Sequence, residues 1–137
     1  MDTRLTKNFK LSEFTKSETA QRLRIDNIPP FESAISLQAL STAILQPLRD
    51  EINSPIQITS GYRSDELNKA VGGKENSQHT LGQAADISSP QGLTIIIEAI
   101  RELGLDFDQM IVYAPRGFLH ISYKRTGNNR GQIIYKS

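Results

Sequence analysis

The chain has 137 residues, a normal length for one domain with a single buried core. Hydrophobic residues make up 37% and charged residues 23%, the balance of a soluble globular domain rather than a disordered one. A formal charge of +1 without any basic tract gives no support to a nucleic-acid footprint, and the absence of cysteine excludes disulfides, thiolate metal sites and thiol nucleophiles.

The first ten residues are polar and charged, without the apolar run of a signal peptide. No later stretch approaches the roughly 20 apolar residues of a membrane span. These features predict cytoplasmic synthesis without an export signal and no membrane insertion. Ser12 and Ser17 are expected as helix N-caps, because their hydroxyls accept otherwise unpaired backbone N–H groups. Asn27-Ile28-Pro29-Pro30 is a breaker. Apolar residues at helical spacing then predict a helix over 33–52, with Pro47 kinking or dividing it. Residues 55–60 alternate as a half-buried strand does, and Ser64 or Asp65 caps a short helix beyond it. Gly72-Gly73 ends that helix, and a polar loop leads to His79.

A short strand over 84–88 and a second amphipathic helix over 93–103 follow, with Gly104 as its stop. Strands over 107–113 and 118–123 read as a hairpin turning at Ala114-Pro115-Arg116-Gly117, and 132–135 as a small edge strand. The basic residues Lys124, Arg125, Arg130 and Lys136 read as a solvated surface. No repeat, low-complexity block or linker interrupts the chain, so residues 1–137 read as one domain. The fold class is α+β, a small antiparallel sheet flanked by helices.

Chemistry concentrates in two segments. In His79-Thr80-Leu81-Gly82-Gln83-Ala84-Ala85-Asp86, a tight turn at Gly82 brings the histidine and the aspartate to one point. The second segment is Phe118-Leu119-His120-Ile121-Ser122, where alternation turns His120 to the face opposite Leu119 and Ile121. His79 and His120 are the two histidines of the chain. Two imidazoles and a carboxylate form a zinc site whose fourth position stays open for water, and such a metal acidifies water toward about 7 and polarises a carbonyl. The plain alternative is a pair of polar histidines satisfied by hydrogen bonds.

These motifs carry a resemblance. His79 to Asp86 fits HxxGxAxD, Leu119-His120-Ile121-Ser122 fits a later His-containing strand, and Ser60-Gly61-Tyr62-Arg63-Ser64 is similar to an SGYRS stretch. Together they resemble the zinc D-alanyl-D-alanine carboxypeptidase and L-alanyl-D-glutamate endopeptidase family, whose fold is shared with the Hedgehog signalling domain. Leu11-Ser12-Glu13-Phe14, Ser17-Glu18-Thr19-Ala20 and Ile25-Asp26-Asn27-Ile28-Pro29 are similar to its small branch from phage and prophage genes. The resemblance implies one zinc ion on His79, Asp86 and His120, and a peptidoglycan stem peptide as substrate. It places Arg63 near the metal, where a guanidinium fork binds a carboxylate; the alternative is a salt bridge to Asp65 or Glu66. It places the Ser77 hydroxyl at the pocket edge; the alternative is a loop hydroxyl bonding its own backbone.

The general base departs from the pattern. Larger members carry Glu or Asp three residues before the last histidine, where this chain has Gly117. Smaller members often carry an acid late in the preceding strand, which here reads Ile111-Val112-Tyr113. With a turn at 114–117, Tyr113 faces Phe118 and Ile111 faces His120, so Gln109, Ile111 and Tyr113 lie on the metal side and Asp108 points away. Tyr113 is a candidate oxyanion donor, although a phenol is a poor base at neutral pH; ordinary packing is its other reading. Glu75 is a second candidate for the base. Two functions follow: a zinc peptidase on cell-wall peptides, or a zinc-containing binding or virion-structural module with little catalysis. Without an export signal, a holin, particle delivery or lysis would bring the protein to the wall.

Overall fold

The computed structural model describes residues 2–137. A hairpin of β1 (Arg4–Thr6) and β2 (Phe9–Lys10) precedes α1 (Leu11–Thr15) and α2 (Glu18–Leu23). Helix α3 (Phe31–Leu40) runs through a π-helical turn (Ser41–Leu45) into α4 (Gln46–Ile52), and β3 (Gln57–Ser60) and α5 (Asp65–Ala70) follow. A one-turn 3-10 helix (Gln78–Leu81) leads into β4 (Ala84–Ser88), then α6 (Leu93–Leu103) and β5 (Gln109–Tyr113). A 3-10 turn (Ala114–Arg116) links β5 to β6 (Phe118–Ser122), and β7 (Gln132–Lys136) comes last. None of the described helices is long and apolar enough to cross a membrane.

Alternation sets which sheet face meets the helices. Met110 and Val112 of β5, Leu119 and Ile121 of β6 and Ile87 of β4 are buried against Leu37, Leu40, Ile44 and Leu48 of the long helical rod and Ile96 and Ile100 of α6. The intervening residues Ile111, Tyr113, Phe118 and His120 are half-buried and line a cleft on the opposite face. Pro47 has no N–H for the carbonyl one turn back, and its ring crowds that carbonyl. The wide turn at Ser41–Leu45 lies immediately upstream, so the rod continues past the proline instead of breaking.

Ser17 caps α2 by accepting from the Ala20 N–H at 3.1 Å, and Ser64 caps α5 by accepting from the Leu67 N–H at 3.2 Å. Ser12 is not a cap. Strand β2 passes straight into α1, the Leu11 N–H is already bonded to the Thr3 carbonyl at 2.8 Å, and the Ser12 hydroxyl donates to Asp2 at 2.6 Å.

The five-stranded sheet has the order β3-β4-β6-β5-β7. Its pairs are antiparallel except β5 with β7, which is parallel. Asp108 accounts for that departure from an all-antiparallel sheet. Its carboxylate is fully buried and accepts from the Arg130 backbone N–H at 3.1 Å, Arg130 Nε at 3.0 Å, the Arg130 terminal nitrogen at 2.9 Å and Gln78 Nε2 at 3.0 Å. Gln132 N–H donates to the Asp108 carbonyl at 3.0 Å, so β7 begins beside the start of β5 and runs the same way.

The Arg130 hydrogen bonds outweigh the opposing effect of burial and hold the Asp108 carboxyl down at about 2, below its ordinary 3.8. A depressed folded pKa stabilises fully above the unfolded value and is lost as pH falls through the folded one. Asp108→Asn is therefore expected to cost about 2–3 kcal/mol at pH 7, the scale of hydrogen bonds to a charged group. In urea unfolding, the gap between variant and wild type should hold above pH 3.8 and close toward pH 2. A gap independent of pH would mean that the charge is not what Arg130 recognises.

Candidate metal centre

The register of β4 and β6 places Asp86 directly opposite His120. Both project from the cleft face. His79 reaches them from the one-turn helix, whose geometry is set residue by residue. Ser77 opens it, its hydroxyl accepting from the His79 N–H at 3.2 Å. Gly82 closes it at φ +72°, and the Gln83 N–H returns to the Gln78 carbonyl at 3.0 Å. A Cβ on Gly82 would lie 2.3 Å from the Ser33 carbonyl oxygen of α3, so this position needs both the left-handed backbone and the missing side chain.

The Ser60-Gly61-Tyr62-Arg63-Ser64 segment serves the same centre. Gly61 passes so close to α1 that a Cβ would meet the Phe14 Cα at 2.6 Å, and its carbonyl accepts from His79 Nδ1 at 2.7 Å. The Tyr62 N–H donates to the Phe14 carbonyl at 2.7 Å, and the Arg63 N–H to the His79 carbonyl at 3.1 Å. Asn27 ties the segment down, donating to the Thr15 and Tyr62 carbonyls at 3.0 Å each and accepting from the Ser64 N–H at 2.8 Å. A register shift in β3 between Ile58 and Ser60 brings the Thr59 hydroxyl to the Asp86 carbonyl at 3.2 Å.

Three donor atoms meet at the cleft floor. His79 Nε2 lies 3.3 Å from Asp86 Oδ1, His120 Nδ1 lies 3.2 Å from that oxygen, and the two imidazole nitrogens are 3.3 Å apart. Ligands bound to zinc at about 2.0–2.1 Å in a tetrahedron stand about 3.3–3.4 Å from one another, so this triangle is the right size for one ion. Proton placement points the same way. With Nδ1–H donated to the Gly61 carbonyl, a neutral His79 presents an Nε2 lone pair to the Asp86 oxygen, a contact that a cation between them turns from repulsive to attractive. Where a proton instead of a cation lies between these atoms, burial raises the Asp86 carboxyl but the hydrogen bonds from His120 and His79 outweigh it and leave the group well below the usual carboxylate range.

Arg63 reaches the same cleft. Nε donates to Ser60 Oγ at 3.2 Å, one terminal nitrogen donates to Asn68 Oδ1 at 3.0 Å, and the other lies 3.8 Å from Asp86 Oδ2. Its ionic partner is thus Asp86, not Asp65 or Glu66. Burial lowers its pKa, opposed by Asp86 and Tyr113.

The hairpin register matches the expected one, with Ile111 opposite His120 and Tyr113 opposite Phe118. Tyr113 stacks on Phe118 with ring centroids 4.8 Å apart, which is its packing role. Glu75 is exposed on the cleft rim, and Asp108 does not line the cleft. The C-terminal cations divide instead of forming one solvated surface: Arg125 pairs with Glu32, while Lys124, Arg130 and Lys136 line the cleft. The Gly61 carbonyl, Asn27, Asn68 and Thr59 were not singled out in the sequence for what they do here. Only the similarity of the segments around Asn27 and Gly61 to known motifs marks them beforehand.

The Peptidase M15 family model matches residues 7–122, a span holding the whole donor cluster, and the chain belongs to that family. Over 62 residues it is 39% identical to the zinc D-Ala-D-Ala carboxypeptidase of Streptomyces albus G. That match covers 44% of this chain and 24% of the relative, so the two share about a quarter of the longer protein's length.

Proposed function

We propose that this chain is a zinc-dependent peptidase acting on the stem peptides of bacterial peptidoglycan, of the D,D-carboxypeptidase or L-Ala-D-Glu endopeptidase type. The observation that carries the proposal is the triangle of His79 Nε2, Asp86 Oδ1 and His120 Nδ1 on the floor of an open cleft of about 800 Å³. His79, Asp86 and His120 would hold zinc and leave it one open position, where the metal would acidify water toward about 7 and polarise a carbonyl. The chain's own residues supply the rest. Gly61 holds the His79 ring in the tautomer that offers Nε2. Arg63, fixed by Ser60 and Asn68, keeps positive charge beside the centre, where a substrate carboxylate or developing oxyanion gathers. Ser77, already used as a cap, shapes the cleft edge.

One observation favours the second reading, a zinc-containing binding or virion-structural module. On the strand facing His120, the cleft side presents Gln109, Ile111 and Tyr113, so no carboxylate stands there to take a proton. The readings separate by measuring amines released from purified peptidoglycan. Release by wild type, abolished by chelator and by His120→Ala, supports the peptidase. One equivalent of bound zinc without release supports the module. Tyr113→Phe and Glu75→Gln then test the two candidate proton carriers, and an unchanged rate excludes the residue concerned.

A further inference from the structure

The cations around the cleft are not all neutralised. Arg63 faces Asp86, and Lys124 and Arg130 both face Asp108. Lys74, Arg116 and Lys136 also line the cleft and have no carboxylate within ion-pair distance among the described residues. Among those residues Glu75 is the one unpaired carboxylate lining the same cleft, so a chain of net charge +1 gathers a surplus of unpaired positive charge around one cavity.

Sheet register orders two of these groups. Asp86, His120, Ile111 and Ile134 form one row across β4, β6, β5 and β7. Phe118, Tyr113 and Lys136 form the next row on the same face, two residues along each strand. Tyr113 and Phe118 are stacked, and the Arg116 guanidinium lies 5.1 Å from the Phe118 ring centroid. The second row is thus an aromatic pair with the Arg116 guanidinium over Phe118 and Lys136 at the neighbouring register position on β7. Two residues of strand separate the rows by about 7 Å, and an extended peptide advances about 3.3–3.6 Å per residue. A ligand group on the aromatic pair therefore sits about two residues from one at the metal centre.

We infer that Arg116 and Lys136, beside the Tyr113–Phe118 pair, form a second anion subsite that binds a free carboxylate about two residues from the metal centre. The ligand class is an acidic peptide whose carboxylates are not amidated. The inference rests on the proposed function in taking the ligand to be a peptide, and its test is independent of turnover.

The probe is a fluorescein-labelled L-Ala-γ-D-Glu-L-Lys tripeptide with free α-carboxylates, compared with the same peptide fully amidated. Fluorescence anisotropy is recorded with metal-stripped protein, which cannot consume a probe through zinc chemistry. The acid form should bind at least about 10-fold tighter than the amide, the scale of one charge-assisted contact. Arg116→Gln/Lys136→Gln should reduce the ratio toward one by weakening only the acid form; both residues are exposed, so the fold is not at issue. Equal affinities, a preference retained in the double variant, or no binding of the acid form would overturn the subsite. If peptidoglycan hydrolysis fails while the Arg116- and Lys136-dependent preference persists, the subsite stands and the peptidase proposal falls. Hydrolysis with a preference that ignores the two residues gives the reverse.

Discussion

Asp86→Asn is expected to weaken zinc binding by more than about 100-fold while leaving the fold in place. Loss of a group that merely orients a ligand costs 10–100-fold in metal proteins, and Asp86 is itself one corner of the donor triangle. The amide keeps the side chain's size, and the Thr59 bond goes to the Asp86 backbone carbonyl, so β4 is undisturbed. Competition with a chromophoric chelator measures the affinity, and circular dichroism checks the fold. In wild type, zinc at 1,000 times its dissociation constant should add about 4 kcal/mol of stability by mass action. At the same zinc concentration the variant should keep no more than about 1.4 kcal/mol of that increment, because a loss of about 100-fold leaves zinc at about 10 times its dissociation constant. Binding should also weaken in acid, because protons compete for all three donors. Equal affinity in the two proteins would remove the metal centre from the account.

Gly82→Ala should be the most damaging of the small substitutions in the binding loop. An L-residue at φ +72° costs about 1–2 kcal/mol in backbone strain. The added methyl would also press on the Ser33 carbonyl at 2.3 Å, and overpacking of that kind costs about 1–3 kcal/mol. The sum is a loss of about 2–5 kcal/mol, visible in denaturant midpoints, with zinc affinity reduced because His79 lies in the turn that Gly82 ends. A midpoint within a few tenths of a molar of wild type would show that α3 can move away from the loop freely.

Local periodicity carried much of the fold. The alternation Phe118-Leu119-His120-Ile121-Ser122 assigns His120 to the face away from the core, and hairpin pairing alone sets Ile111 opposite it. The HxxGxAxD spacing holds His79 and Asp86 together with their turn. What lay beyond reach depends on contacts between distant segments. Nothing near Gly82 announces that Ser33 will back it, and nothing near Arg63 says that Asp86 will be its ionic partner. The parallel seating of β7 follows from one buried carboxylate, Asp108, whose partners come from the Gln78 turn and the Arg130 loop. The hairpin of β1 and β2 is too short for any periodicity to register, and Gln46 steadies its turn through Asn8. Ser12 illustrates the opposite error, a good capping residue in a place where a strand already supplies the partner.

The wide turn at Ser41–Leu45 also acts as an angular setting between two distant jobs. At about 100° per residue, the chain from Ser33 to Ile52 would overshoot whole turns by roughly one residue's rotation in an unbroken α-helix. A π turn absorbs one residue, bringing both ends back into phase, so that Ser33 supports the loop carrying His79 while Ile52 stays buried in the core. Shortening that turn by a residue would twist one end away from its task, so the metal loop's backing depends on the pitch of a helix segment that begins eight residues beyond Ser33.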